Sequence, residues 1–121
     1  MQLSSNPLNK NIEKQLSEMF YGIMAELGTP EEVKTVLADV LTEGERMAIL
    51  KRLGIAVYLD KGRSYEDVKN NIKVSSATIA SVAENLGNSG WQEMIKRIKA
   101  EEWASEWTNK ISKGIRRILP L

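Results

Sequence analysis

The 121-residue sequence contains no cysteine and no histidine. Those absences exclude disulfides, thiol nucleophiles, zinc sites of the Cys/His type and imidazole acid–base catalysis, and leave the redox compartment undetermined by cysteine usage. An excess of either charge sign is missing too: 17 Lys and Arg face 16 Asp and Glu, for a formal net charge of +1. The field of the whole molecule therefore does not announce a nucleic-acid binder, and any pull on phosphate must come from a local patch. No apolar run approaches a membrane span, and Met1 to Pro7 has neither the basic start nor the apolar centre of a signal peptide. The expectation is a cytoplasmic protein without stable membrane insertion. No phosphate loop, dinucleotide fingerprint or nucleophile–base constellation occurs, and Glu31-Glu32 and Glu101-Glu102 read as solvated helix charge. An enzyme is not expected, nor is a cofactor. Sustained β alternation, internal repeats and low-complexity runs are also absent.

What is present is helical periodicity in a chain that is 42% hydrophobic and 27% charged, long enough for one domain with a core. Residues 1–9 read as a flexible N-terminal segment. Ile12, Leu16, Met19, Phe20, Ile23, Met24 and Leu27 then mark a helix with a wide apolar stripe, stopped at Gly28. Thr29, Pro30 and Glu32 form a capping box with proline at the first helical position, ahead of Val33, Val36, Leu37 and Val40. Thr42 and Glu45 repeat the box and open a third helix with apolar residues on several sides, which Gly62 is placed to end in a left-handed conformation. Ser89 to Gln92 offers a cap for a last helix carrying Trp91, Met94, Ile95 and Ile98. Trp103 and Trp107 are one turn apart, a spacing that suits a core or a subunit interface. Residues 109–121 are a basic tail with Lys110, Lys113, Arg116 and Arg117, suited to phosphate, an acidic membrane or the end of a bundle; Gly114 and Pro120 argue against a long helix there.

The centre of the chain is residues 64–86. Val68 and Ile72 are i,i+4 partners on one short segment, Ile79, Val82 and Leu86 follow helical spacing on a second, and Lys73-Val74-Ser75 lies between. This is the apolar frame of a helix-turn-helix, with the second helix keeping short side chains outside for close approach to a major groove. The same pattern also occurs in helical bundles that never touch DNA. Two features favour the latter: the second helix has no Lys or Arg but has Glu84, and Glu66 and Asp67 open the first, where they suit the helix dipole yet repel phosphate. The fold expected from residues alone is all-α with six helices, the helical domain spanning residues 10–108.

From Leu41-Thr42 through Glu45-Arg46 and Arg52 to Ala77-Thr78-Ile79, the order and spacing of residues resemble the tryptophan repressor family of bacterial regulators. The resemblance implies an all-helical, intertwined homodimer in which two helix-turn-helix units read successive major grooves of a near-palindromic site. It implies an effector pocket near Arg52 and Thr42. In the family's tryptophan sensor, an arginine on the third helix and another on the recognition helix sandwich the indole beside a glycine. Arg52 stands at the first position, but Ser81 and Val82 replace the second arginine and the glycine, and Asp39 replaces an apolar pocket residue. Loss of the stacking cation, of order 1–2 kcal/mol, and the steric overlap disfavour tryptophan, leaving room for another small effector; Arg52 also fits an ordinary surface ion pair. Lys73 stands where the family's turn has a left-handed glycine, at a cost on the order of 1 kcal/mol.

Two functions remain. One is a sequence-specific, homodimeric transcriptional regulator of double-stranded DNA. Ser75, Ser76, Ala77, Thr78, Ala80 and Ser81 would face base edges and Arg63, Lys69 and Lys73 would hold phosphates, with Lys96, Arg97, Lys99 or the tail as further candidates. The other is a helical protein-interaction module that docks partners through its Trp-rich C-terminal region without binding DNA.

Overall fold

A computed structural model describes the backbone of residues 5–118 and the side chains of residues 5–105. Six α-helices follow one another, with no strand among the described residues: α1 (Lys10–Glu26), α2 (Pro30–Val40), α3 (Glu43–Asp60), α4 (Tyr65–Val68), α5 (Ser76–Asn85) and α6 (Ser89–Ile118). A π-helical turn, Lys69–Lys73, continues α4. The all-α, six-helix expectation is met. The helical backbone of α6 runs on to Ile118, through Gly114, into the segment read as a tail. The side chains of Trp107 and of the basic residues from Lys110 onward lie outside the described residues.

The chain divides between Ile49 and Leu50 into two compact units. In the first, helix ends are fixed by local hydrogen bonds. Asn9, a cap that sequence reading passed over, accepts from the Asn11 amide at 2.9 Å. The Thr29 hydroxyl accepts from the Glu32 amide at 3.2 Å, while the Glu32 carboxylate reaches back one residue further than a regular box, to the Gly28 amide. Thr42 and Glu45 make the full reciprocal box: the Thr42 amide donates to Glu45 at 2.8 Å and the Glu45 amide to the Thr42 hydroxyl at 3.2 Å. None of the described residues of this unit is buried. Along α1, Ile12 and Leu16 are each 49% exposed and Met19 is 60% exposed.

The second unit closes a core of Ile55, Ala56, Val68, Ile79 and Val82, with Tyr58, Leu59, Ile72, Val74, Leu86 and Trp91 packed against it. Ile95 of α6 is also buried. Gly62, at φ 79°, ends α3: its amide donates to the Leu59 carbonyl and that of Arg63 to the Tyr58 carbonyl, the paired bonds of a left-handed helix stop. Two ion pairs, Asp60–Lys99 and Lys61–Glu102, each 3.1 Å, tie this end of α3 to α6. The expected cap at Ser89 is corrected. Ser89 is already helical, the Gln92 amide donates to the Asn88 carbonyl, and the Gln92 side chain donates to the Leu86 carbonyl at 2.7 Å. The chain enters α6 straight from the Asn85–Asn88 turn, so no serine cap is required.

Candidate nucleic-acid interface and effector cavity

The helix-turn-helix is assembled from α4, its π-helical extension and α5. Ser64 caps α4 by accepting from the Asp67 amide at 3.1 Å. Val68 is fully buried, Ile72 and Val74 are half-buried against the core, and Ile79 and Val82 seal it from α5. These are the positions expected from the spacing. Lys73 takes the left-handed conformation of the turn, φ 61°, although it is not glycine.

With Ile79 and Val82 inward, the opposite face of α5 is open. Ser76, Ala77, Ala80 and Ser81 are exposed there. Ser75 is exposed at the cap position, where its hydroxyl accepts from the Thr78 amide at 3.2 Å and lies 2.9 Å from the Thr78 hydroxyl. Thr78 itself is half-buried. Each of these two hydroxyls thus has an internal partner, whereas those of Ser76 and Ser81 point from the open face with no hydrogen-bond partner among the described residues.

The three cations read as phosphate contacts differ in their surroundings. Arg63 donates to Asp67 at 2.7 Å and lies 5.3 Å from the Tyr58 ring centre, and the contact with Asp67 raises its pKa further. Asn71 donates to the other Asp67 oxygen at 2.8 Å, so the carboxylate that sequence reading counted as repelling phosphate is occupied from both sides. Lys69 and the Lys73 side chain are exposed and form no ion pair among the described residues. Of the other candidates, Lys99 is paired with Asp60 and Arg97 with Glu93, while Lys96 is exposed on α6 and forms no ion pair among the described residues. Two cations are thus left beside the turn, next to a face of α5 that carries no cation and one exposed acid, Glu84.

Beside α5, Arg52, Ser81, Val82, Asn85, Asn88 and Trp91 line an open cavity of about 360 Å³. It brings together three positions singled out on sequence grounds, Arg52, Ser81 and Val82. Val82 is buried with its side chain in the core, and Ser81 provides no cation opposite Arg52. Sequence reading missed the amides. Asn85 donates to the Ser81 carbonyl at 2.8 Å and Asn88 to the Asn85 side chain at 3.3 Å, so a polar chain runs along the cavity wall. The i,i+4 spacing of Ser81 and Asn85 was the available signal. Thr42 belongs to the first unit, where Glu45 engages both its amide and its hydroxyl, and Asp39 is exposed in that unit. No group of metal-ligating side chains occurs among the described residues, and no described helix is long and apolar enough to cross a membrane.

Comparison with known proteins matches residues 14–102 to the family described as Trp repressor protein. A relative from Bacillus subtilis (strain 168), described as uncharacterized protein YerC, is 30% identical over 94 residues, which cover 76% of this chain and 89% of the relative.

Proposed function

The chain belongs to the Trp repressor family, a family of regulators, and from that membership we propose that it is a homodimeric, sequence-specific DNA-binding transcriptional regulator that does not respond to tryptophan. The observation that carries the reading is the open face of α5. Ser76, Ala77, Ala80 and Ser81 stand exposed opposite buried Ile79 and Val82, which suits close approach to a major groove. Hydroxyls and small apolar groups read thymine methyls and acceptors without the bidentate arginine–guanine contact, so part of the discrimination comes from DNA shape. Lys69 and Lys73 supply phosphate contacts, with Arg63 held back by Asp67. The half-exposed stripe of α1 supports the homodimer.

The test is fluorescence anisotropy with labelled duplexes from upstream of the coding region and with random duplex, at two salt concentrations. A regulator shows a steep loss of affinity with salt and at least about tenfold preference for one fragment. Absence of binding to either duplex at low salt overturns the reading. Tryptophan insensitivity is supported by Val82 and Ser81 in the cavity wall, and micromolar binding of L-tryptophan in calorimetry would refute it. A protein-interaction module is the second reading, favoured by Trp103, which is 62% exposed.

A further inference from the structure

Lys73 is the only non-glycine residue with a left-handed backbone among the described residues. In that conformation its Cβ crowds the following carbonyl oxygen, so the turn favours glycine and must be held when glycine is absent. The holding group comes from α3: Lys51 Nζ donates to the Lys73 carbonyl oxygen at 3.0 Å. The bond lies at the surface and is charge-assisted, the stronger class of hydrogen bond. Three residues along the same face of α3, a Cβ on Gly54 would lie 2.8 Å from Ile72 Cδ1. The missing side chain lets Ile72 seat closely against the helix. Two neighbouring positions of α3 thus engage two consecutive residues of the turn, Ile72 by contact and Lys73 by its carbonyl.

We propose that Lys51 is a positioning residue for DNA reading. Its ammonium holds Lys73 in the conformation that a glycine adopts freely, and thereby sets the direction in which Ser75 and α5 leave the turn. This rests on the DNA-reading function proposed above. Lys51 acts through the backbone and makes no phosphate contact of its own.

Lys51→Met keeps the unbranched stem and removes the ammonium; Lys73→Gly removes the need for it. The full-length parent, the two single variants and the double variant are compared by two measurements. Without DNA, amide chemical shifts of Val74 to Thr78 should move in Lys51→Met and should be nearly insensitive to the same change when glycine stands at 73. With DNA, Lys51→Met should weaken binding to the preferred duplex about tenfold at unchanged salt slope, a loss expected for one charge-assisted hydrogen bond. In the Lys73→Gly background the loss should shrink below about threefold. Equal losses in both backgrounds, unmoved amide shifts in Lys51→Met, or a salt slope reduced by about one, the mark of a direct phosphate contact, each overturn the proposal. Lys51→Leu, which also lacks a donor, carries the same comparison if the Met variant does not fold. If the parent binds no duplex, DNA reading has failed, and the amide shifts alone decide whether Lys51 holds the turn.

Discussion

The described residues of the first unit, up to Ile49, and of the second, from Leu50 on, are both helical and both rich in aliphatic side chains, yet among them only the second set buries any. In the second unit, Ile55, Val68, Ile79, Val82 and Ile95 come from α3, α4, α5 and α6 and leave almost no surface to water. In the first, the stripe of α1 has the same helical spacing, and its residues stay near half exposure. Periodicity reports that a face needs cover; it does not say which chain supplies it. A contiguous apolar face of this kind marks an interaction surface, and under the proposed homodimer the cover is a second copy. Under the same proposal the division separates tasks: the unit with the closed core carries α5 and the turn, and the open unit makes the assembly.

The contrast is tested most severely by truncating the core of the second unit. Ile79→Ala, at a side chain only 1% exposed, should cost about 2–5 kcal/mol of unfolding free energy in chemical denaturation, with loss of DNA binding when the variant unfolds. A cost below about 1 kcal/mol would mean that this core is not the closed one described. The first unit should respond in association. Leu16→Glu combined with Ile23→Glu puts charge on the α1 stripe and should weaken self-association by about 2–3 kcal/mol, read as monomers in sedimentation equilibrium at concentrations where the parent is dimeric. A double variant that remains dimeric would remove α1 from the interface.

How much of this was legible in the sequence follows from the range of each interaction. The capping of α2, α3 and α4 by Thr29, Thr42 and Ser64 could be read because cap and amide are three residues apart. Gly62 could be placed in a left-handed conformation because a helix stop demands one there, and Lys73 because it stands where the turn of the family it resembles has a left-handed glycine. The inward set of the helix-turn-helix followed from spacing alone. The Lys51 contact with Lys73 could not, since the two are 22 positions apart and no local pattern encodes which surface cation finds a carbonyl. The π-helical turn at Lys69–Lys73 was equally silent, because one extra residue in a turn leaves the apolar spacing of Val68 and Ile72 unchanged. Arg63 was read as a free cation although Asp67 lies four residues on. The i,i+4 rule allowed the pair, and only geometry decides between an ion pair and a phosphate.

A smaller effect separates contact from steering within the second unit. Lys69→Ala with Lys73→Ala should weaken binding to specific and random duplex alike, by roughly five- to tenfold at moderate salt, and lower the salt slope by about two. Arg63→Ala should leave the slope nearly unchanged, because Asp67 already neutralises that guanidinium. Reversed results, with a flat response for the lysines and a lowered slope for Arg63, would move the phosphate contacts to the start of α4.

The smallest predicted effect lies at the opening of α3, in the unit without a core, where local hydrogen bonds carry more of the order. Thr42→Ala removes the hydroxyl that accepts from the Glu45 amide and should cost about 1 kcal/mol. The other half of the box is pH-dependent. The Thr42 amide, and after it the Thr42 hydroxyl, hold the Glu45 carboxyl below the usual carboxylate range. Arg46 does the same for Glu43, first through its hydrogen bonds and then through its charge. A carboxylate with a lowered folded-state pKa stabilises the fold fully above its unfolded value and loses that contribution as pH falls through the lowered value. Thermal melts should therefore find Glu45→Gln slightly less stable than the parent at neutral pH, with the gap closing as the solution is acidified through the carboxylate range. A gap of constant size down to strongly acid pH would show that the neutral acid caps α3 as well as the carboxylate does, and that the charge contributes nothing to this helix start.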